Sequence, residues 1–499
     1  MEINIKQSSS VPIYIQIRNQ IRDMILKQEI PDGFVLPSER TLARKTGVHR
    51  NTVNKAYHEL RADGLIESYQ GLCHSVSYSE KKQSFETETG NNTRTRQSLP
   101  IHWEAMIKEE FLNLETTFDL LFSKSYVPGN ISFAGGIAPP EAYGKDDLRR
   151  ILSEILDENS DIIYEYTPYQ GLYSLRRNLC DFLSGKGIQA RPEELQVLPE
   201  SNQALSYLVE LLIKPGDAVF SEEPVSPDVY REFALAGARL ITVPMDEEGM
   251  ICSGLDALIE KHHPKFIYVN PGFHDPTGIT MTLKRRKQLL DLSYRHRLPI
   301  IEMDEASEII FEGSAVPSLK SLDAGENVIY IYSFALTFAP GLGLAFLAGP
   351  KPLMNSLRHL VSLRLISLDS LSQQLLNRYL QEGIYMRNLK NLCAFYKQKL
   401  DLMCDMLEDA VKEGLGFQKP GGGVYLWCRL PETVHFNNFV ERSGREGVSF
   451  IPGNIFYPFG NKGDNFIRLN YSYPSEEQIL KGIPILMEVM SDCIVTAPT

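Results

Sequence analysis

Pro37-Ser38-Glu39-Arg40-Thr41-Leu42-Ala43-Arg44-Lys45-Thr46-Gly47-Val48-His49-Arg50-Asn51-Thr52-Val53 is the stretch that decides how this chain begins to fold. Ser38 offers a hydroxyl oxygen to the unpaired amides of a helix start, and Leu42 and Ala43 fall on the inner side of that helix. Thr46-Gly47-Val48 makes a tight turn. A further helix follows over about 50–62, with Val53, Ala56, Tyr57 and Leu60 at i, i+3, i+4 and i+7 on one buried face. Its other face carries Arg50, Asn51, Asn54, Lys55 and His58. Upstream, Ile13, Ile17, Ile21, Met24 and Ile25 share one side of a helix over 13–25. Downstream of Asp63-Gly64, the alternating runs Leu65–Tyr69 and Ser75–Tyr78 flank Gln70-Gly71, the pattern of a hairpin.

Two helices about a three-residue turn, the second polar on one side, suit the major groove of DNA. Arg40 and Arg50 bring cations for phosphate or guanine, and Asn51 and Thr52 reach phosphates or base edges from the helix start. The plainer alternative is that these charges only solvate a helix. The ordered string P-S-E-R-x-L-A, V-x-R-N-T-V, A-Y-x-x-L, D-G-L-I resembles the GntR-type winged helix over residues 12–78. By that resemblance Arg40, Arg50, Thr52 and the wing glycine Gly71 fall on DNA-contacting positions. It departs from the pattern at His49, where the family has a serine N-cap, and at Gly71-Leu72-Cys73, where it has G-x-G.

Charge is divided along the chain. Net charge is −12, which argues against a nucleic-acid binder, but residues 1–78 hold 10 Lys and Arg against 8 Asp and Glu, and the remainder 41 against 55. An acidic body repels phosphate, so DNA contact falls to the head. Residues 79–99 are polar with almost no large apolar side chain and read as a flexible linker. From residue 100 onward, β-rich runs such as Phe266–Val269, Pro299–Ile301 and Val328–Tyr332 alternate with helical stretches, the mark of a mainly parallel α/β sheet. The expected architecture is therefore multidomain: an α+β winged helix-turn-helix over 1–78, the linker, and an α/β body over 100–499.

At 499 residues with 43% hydrophobic and 23% charged side chains, the chain has the composition of a soluble protein of two or three domains. No apolar run reaches the ~18 residues of a membrane span. The N-terminus has no basic-then-apolar export signal, and the seven scattered cysteines form no C-x-x-C pair. These features point to the cytoplasm and away from disulfides or a zinc site, and the dispersed histidines suggest no metal centre.

In the body, Phe133-x-x-Gly136-x-x-Pro139, Tyr166-x-Pro168-x-x-Gly171, Lys214-Pro215-Gly216-Asp217, Asp275-Pro276-Thr277-Gly278, Ser333-Phe334-Ala335-Leu336-Thr337-x-Ala339-Pro340-Gly341-Leu342, Pro420-x-Gly422-Gly423-x-Tyr425-x-Trp427, Pro452-Gly453 and Phe466–Tyr471 stand in fixed order. Together they are similar to the fold-type I aminotransferases, and head plus body resemble the MocR subfamily of GntR regulators. The resemblance implies pyridoxal phosphate (PLP) sensing and a head-to-tail homodimer; because a symmetric dimer reads paired half-sites, double-stranded operator DNA with repeated half-sites is the expected partner.

The chemistry departs from the outline. PLP needs a primary amine for its Schiff base, and the family's lysine position holds Leu336. The phosphate-binding arginine is Gly343. Met303 and Glu305 stand where an aspartate and a tyrosine contact the ring, although a slip of one residue would restore Asp304. The loop before P-T-G reads His274-Asp275, the phosphate-cradling segment reads Glu200-Ser201-Asn202-Gln203, and the E-x-P-x-Y tyrosine is Ser226. Lys320 and Lys351 lie about 15 residues from Leu336, too far to share its turn. Arg468 is retained. It either grips an effector's carboxylate or closes an ion pair with an acidic neighbour. The expectation is a regulator with a catalytically inactive body that dimerises, binds no PLP covalently and takes a small-molecule effector. The alternatives are a PLP-dependent sensor of the same subfamily and a PLP-dependent aminotransferase.

Overall fold

In the computed structural model the described residues are 3, 5, 13–27, 29–62, 64–69, 73–77, 103, 106, 107, 129–135, 138–459 and 462–494. The chain divides into two compact units, residues 1–114 and 115–499. The expected linker over 79–99 lies outside the described residues.

The first unit is built on α1 (Ile13–Leu26), α2 (Glu39–Thr46) and α3 (Arg50–Ala62). Ser38 caps α2 by accepting from the Thr41 amide, and Gly47 ends it in the left-handed conformation (φ 69°), which glycine adopts without strain. Ile17, Ile21 and Ile25 from α1 pack with Val53, Ala56, Tyr57 and Leu60 from α3 in one core. Ile13 and Met24, expected on the same face, are only partly buried at its edge. Strands β1 (Ile66–Tyr69) and β2 (Cys73–Val76) pair antiparallel, Ile66 opposite Val76, and form the wing. The Tyr57 hydroxyl donates to the Pro37 carbonyl (2.8 Å) and ties α3 to the chain entering α2.

Among its described residues the second unit begins with β3 (Ile131–Ser132), and it centres on an eight-stranded sheet. In chain order its strands are β4 (Leu195–Leu198), β5 (Ala218–Glu223), β6 (Arg239–Asp246), β7 (Gly249–Met250), β8 (Ile267–Val269), β9 (Ile300–Asp304), β10 (Val328–Ser333) and β11 (Ala345–Ala348). They lie in the order β4-β11-β10-β9-β8-β5-β6-β7. The run from β10 to β6 is parallel, and antiparallel strands close both edges. Such a sheet is buried on both faces, and its strands alternate between two cores. Ile301, Met303, Ile329 and Ile331 pack on one side, under α5 (Ser201–Leu212). Tyr330 and Tyr332 pack on the other, under α4 (Tyr173–Gly185).

After β11 come the 29-residue helix α7 (Ile384–Lys412) and a four-stranded antiparallel sheet ordered β12-β13-β16-β15, made from β12 (Gly416–Phe417), β13 (Tyr425–Arg429), β15 (Ile451–Pro452) and β16 (Phe466–Asn470). Between them β14 (Val448–Ser449) pairs with β3. The final helix α8 (Glu476–Asp492) packs with α7 over this sheet. Helix α6 (Pro227–Leu235) follows β5. Among the described residues no helix is long and apolar enough to cross a membrane.

Candidate functional site

The polar face of the head begins at the α2–α3 turn. Arg50, on the first turn of α3, is exposed, and its guanidinium bonds Glu39 through Nε (3.0 Å) and Nη2 (2.9 Å). His49 is exposed just before α3, and its carbonyl accepts from the Thr52 amide (3.0 Å). Thr52 is partly buried on the first turn. Arg40 and Asn51 have described backbones, in α2 and α3, but their side chains lie outside the described residues, as does Gly71 at the wing tip. Arg50, His49 and Thr52 are thus gathered at one end of α3, with Glu39 beside the arginine.

In the body, the C-terminal ends of the parallel strands meet in a cleft, as open α/β sheets dictate. β5 delivers Glu222, the residue after β8 is Asn270, and β9 delivers Met303 and, one residue beyond its end, Glu305. Asp275, Ser226, Tyr425 and Arg468 complete a cavity of about 140 Å³. The period-2 alternation of β9 decides the register left open by the sequence. Met303 and Glu305 face this cavity, whereas the Asp304 carboxylate accepts from the Tyr330 hydroxyl (2.5 Å) and the Ser307 hydroxyl (2.6 Å) and pairs with Lys186 (3.5 Å). Asp304 is thereby occupied away from the cleft.

Helix α5 starts at the cleft wall. Its N-cap, Glu200, is exposed and makes no capping hydrogen bond. The carboxylate that reaches this helix start is instead Glu305, which accepts from the Ser201 hydroxyl (3.0 Å). Gly343 lies against the same corner: at φ 51°, a Cβ there would come within 3.1 Å of the Pro199 carbonyl oxygen. Ser226 precedes α6 as its N-cap residue, without a side-chain cap. Leu336 is partly buried and packs on the core of the C-terminal subdomain.

Of the two readings of Arg468, the structure contains the ion pair. Its Nη1 donates to Asp275 (2.6 Å), its Nη2 to the Ala134 carbonyl (3.1 Å), and its guanidinium lies over the Tyr425 ring at 4.2 Å. Burial opposes the charge, but Asp275 outweighs it and holds the guanidinium firmly protonated. Burial pushes the Glu222 carboxyl up to about 7 and the His274 imidazole down to about 3. Glu305 rises to about 7, first through burial and then through the charge of Asp275. His274, neutral, stands 3.7 Å from Glu222 and bonds the Thr277 hydroxyl (2.9 Å).

Glu222, Asn270 and Asp228, which all line the cavity, were not singled out in the sequence. A signal for Glu222 exists: Phe220-Ser221-Glu222-Glu223 ends a strand buried on both faces with acids, against the usual composition of such strands.

Residues 138–484 match aminotransferase class I and II, and residues 13–72 match the gntR family of bacterial regulatory proteins. The chain is 30% identical to a 2-aminoadipate transaminase of Thermus thermophilus over 388 residues, covering 77% of this chain and 96% of the transaminase. It is 25% identical over 447 residues to a probable rhizopine catabolism regulatory protein, MocR, of Rhizobium meliloti, covering 89% and 87%. A kynurenine aminotransferase of Pyrococcus horikoshii, solved in complex with PMP, superposes with a TM-score of 0.73 at 28% identity, covering 78% of this chain and 98% of that one.

Proposed function

This chain belongs to the class I and II aminotransferase family through its body and carries a gntR-family head, and from that premise we propose a DNA-binding transcription regulator whose body makes no covalent bond to PLP. The head, over 1–78, reads the operator with Arg40, His49, Arg50, Asn51 and Thr52 and with Gly71 at the wing. The body, over 100–499 beyond the polar stretch 79–99, serves as dimerisation and effector module. A symmetric dimer reads paired half-sites, here in the head-to-tail arrangement of the resembling subfamily.

One observation carries the loss of cofactor chemistry: Glu305 holds the start of α5 through Ser201. A helix N-terminus is where a phosphate dianion is best received; Glu305 already takes the Ser201 hydroxyl there and, once ionised above about pH 7, also repels a dianion. The remaining residues do not suit the group either. Leu336 has no amine for a Schiff base, Gly343 has no cation for the phosphate, and Met303 offers no acid to a pyridine nitrogen. No step of a transamination is assigned to this cleft.

A rival reading, a PLP-dependent sensor or aminotransferase, draws on the 30% identity to a transaminase. It requires a lysine-bound cofactor, and no lysine lines the cavity among the described residues. The DNA-binding role is tested by gel shift on the intergenic DNA beside the gene. Arg50→Ala abolishes the shift while the melting curve stays that of the parent. An unchanged shift overturns the assignment of α3 as the reading helix.

A further inference from the structure

Resting on the reading of α3 as the helix that enters the groove, we propose that Glu39 is a positioning residue that sets specificity: it holds the Arg50 guanidinium so that the arginine reads a guanine rather than a phosphate. The acid occupies one side of the fork only. Arg50 Nε donates to Glu39 Oε2 (3.0 Å), and Nη2 stands 2.9 Å from the same oxygen. A guanidinium has five N–H groups in fixed geometry. With the Nε side taken, Nη1 and the outer N–H of Nη2 are left at the end of the fork. Two parallel donors so placed match the O6 and N7 acceptors that guanine presents in the major groove.

Glu39 is itself held in place from several directions. It opens α2, where the helix dipole favours a carboxylate. Its other oxygen, Oε1, lies 3.7 Å from His74 Nε2 on the wing strand β2. The His74 ring in turn packs edge-on against Tyr57 of α3, with centroids 5.0 Å apart. Glu39 thus joins α2, α3 and the wing at one point. Its side chain is 20% exposed and that of Arg50 60%, so the acid is the enclosed partner and the arginine the one that reaches out.

An ion pair this exposed adds little to folding stability, so stability does not account for it. Recognition does. An arginine already fixed in one orientation loses less rotamer freedom when it meets a base. The adjacent carboxylate also offsets its charge and weakens its pull on phosphate, the contact that carries no sequence information. An unsupported arginine here would bind any duplex, whereas a supported one selects.

The test uses the full chain and the shortest intergenic duplex that it still shifts. 7-Deazaguanine, which lacks the N7 acceptor, replaces one guanine at a time, and a random-sequence duplex of equal length is the reference. Affinities are read by fluorescence anisotropy at a single salt concentration. At one guanine of each half-site, loss of N7 is expected to cost the parent about fivefold or more. In Glu39→Gln that penalty falls to about twofold or less, affinity for the random duplex is unchanged or higher, and the melting curve stays that of the parent. No N7-sensitive guanine in the parent overturns the proposal, as does a Glu39→Gln protein that keeps the full penalty or loses both duplexes in equal measure. If Glu39→Gln keeps the penalty while Arg50→Ala fails to shift the operator, the role of Glu39 falls and α3 remains the reading helix. If Arg50→Ala still shifts it as the parent does, both readings fall.

Discussion

Replacing Glu222 with glutamine (Glu222→Gln) makes a prediction about stability whose sign is fixed by burial. The Glu222 carboxyl ordinarily titrates at 4.5 and is lifted to about 7 in the folded protein. A raised carboxyl binds more protons folded than unfolded between those values, so its contribution to stability falls as pH rises from about 4.5 to about 7 and stays low above. At 1.36 kcal/mol for each pH unit of displacement, the penalty for keeping it ionised in the fold is about 3 kcal/mol at pH 8 and close to zero at pH 4. Glutamine carries no such penalty, and its carbonyl still accepts from the Asn270 amide. The variant is therefore expected to be more stable than the parent at pH 8 by up to about 3 kcal/mol, a rise of about 4 °C in Tm for a unit of this size. That figure is already net of Arg286, whose charge favours the ionised form. The assay is a series of thermal melts of both proteins from pH 4 to pH 8.5. A difference that does not grow with pH, or a variant less stable at pH 8, refutes the assignment of Glu222 as a desolvated acid.

Three further outcomes follow from the same geometry. Asp275→Ala leaves Arg468, 2% exposed, charged and unpaired in the interior and is expected to cost about 3–5 kcal/mol, read by denaturant unfolding; a loss under 1 kcal/mol would show that water, not Asp275, compensates the guanidinium. Leu336→Lys restores an amine but not the phosphate or ring contacts, so the variant mixed with PLP is expected to give no aldimine absorbance; a stable band would mean that one residue alone separates this body from a PLP protein. DNA binding is expected to weaken steeply between 50 and 200 mM salt, as phosphate contacts require, and a flat salt dependence would remove the head's electrostatic role.

Much of this molecule is legible in its sequence where local rules act alone. The head's periodicity marks α3 correctly, with Val53, Ala56, Tyr57 and Leu60 all buried, and Ser38 and Gly47 cap α2 as their chemistry requires. In the body the β-rich runs at 266–269, 299–301 and 328–332 overlie β8, β9 and β10. The contents of the cleft are less legible because they depend on residues brought together from distant strands. Whether Met303 or Asp304 faces the cleft cannot be read from a run in which both are buried, since a one-residue shift exchanges the two faces. Glu200 looks like the acid nearest the helix start, yet it turns to solvent, and Glu305, more than a hundred residues later, reaches Ser201. Glu222 and Asn270 become a pair only when β5 and β8 lie side by side in the sheet.

The proposal that the body makes no covalent bond to PLP is tested most directly by incubating the full chain with PLP, reducing with borohydride and locating any label by peptide mass spectrometry. The expected result is a chain of unmodified mass with no phosphopyridoxyl peptide from the cleft. A phosphopyridoxyl group on one lysine in stoichiometric yield, blocked by a competing amine, would contradict it.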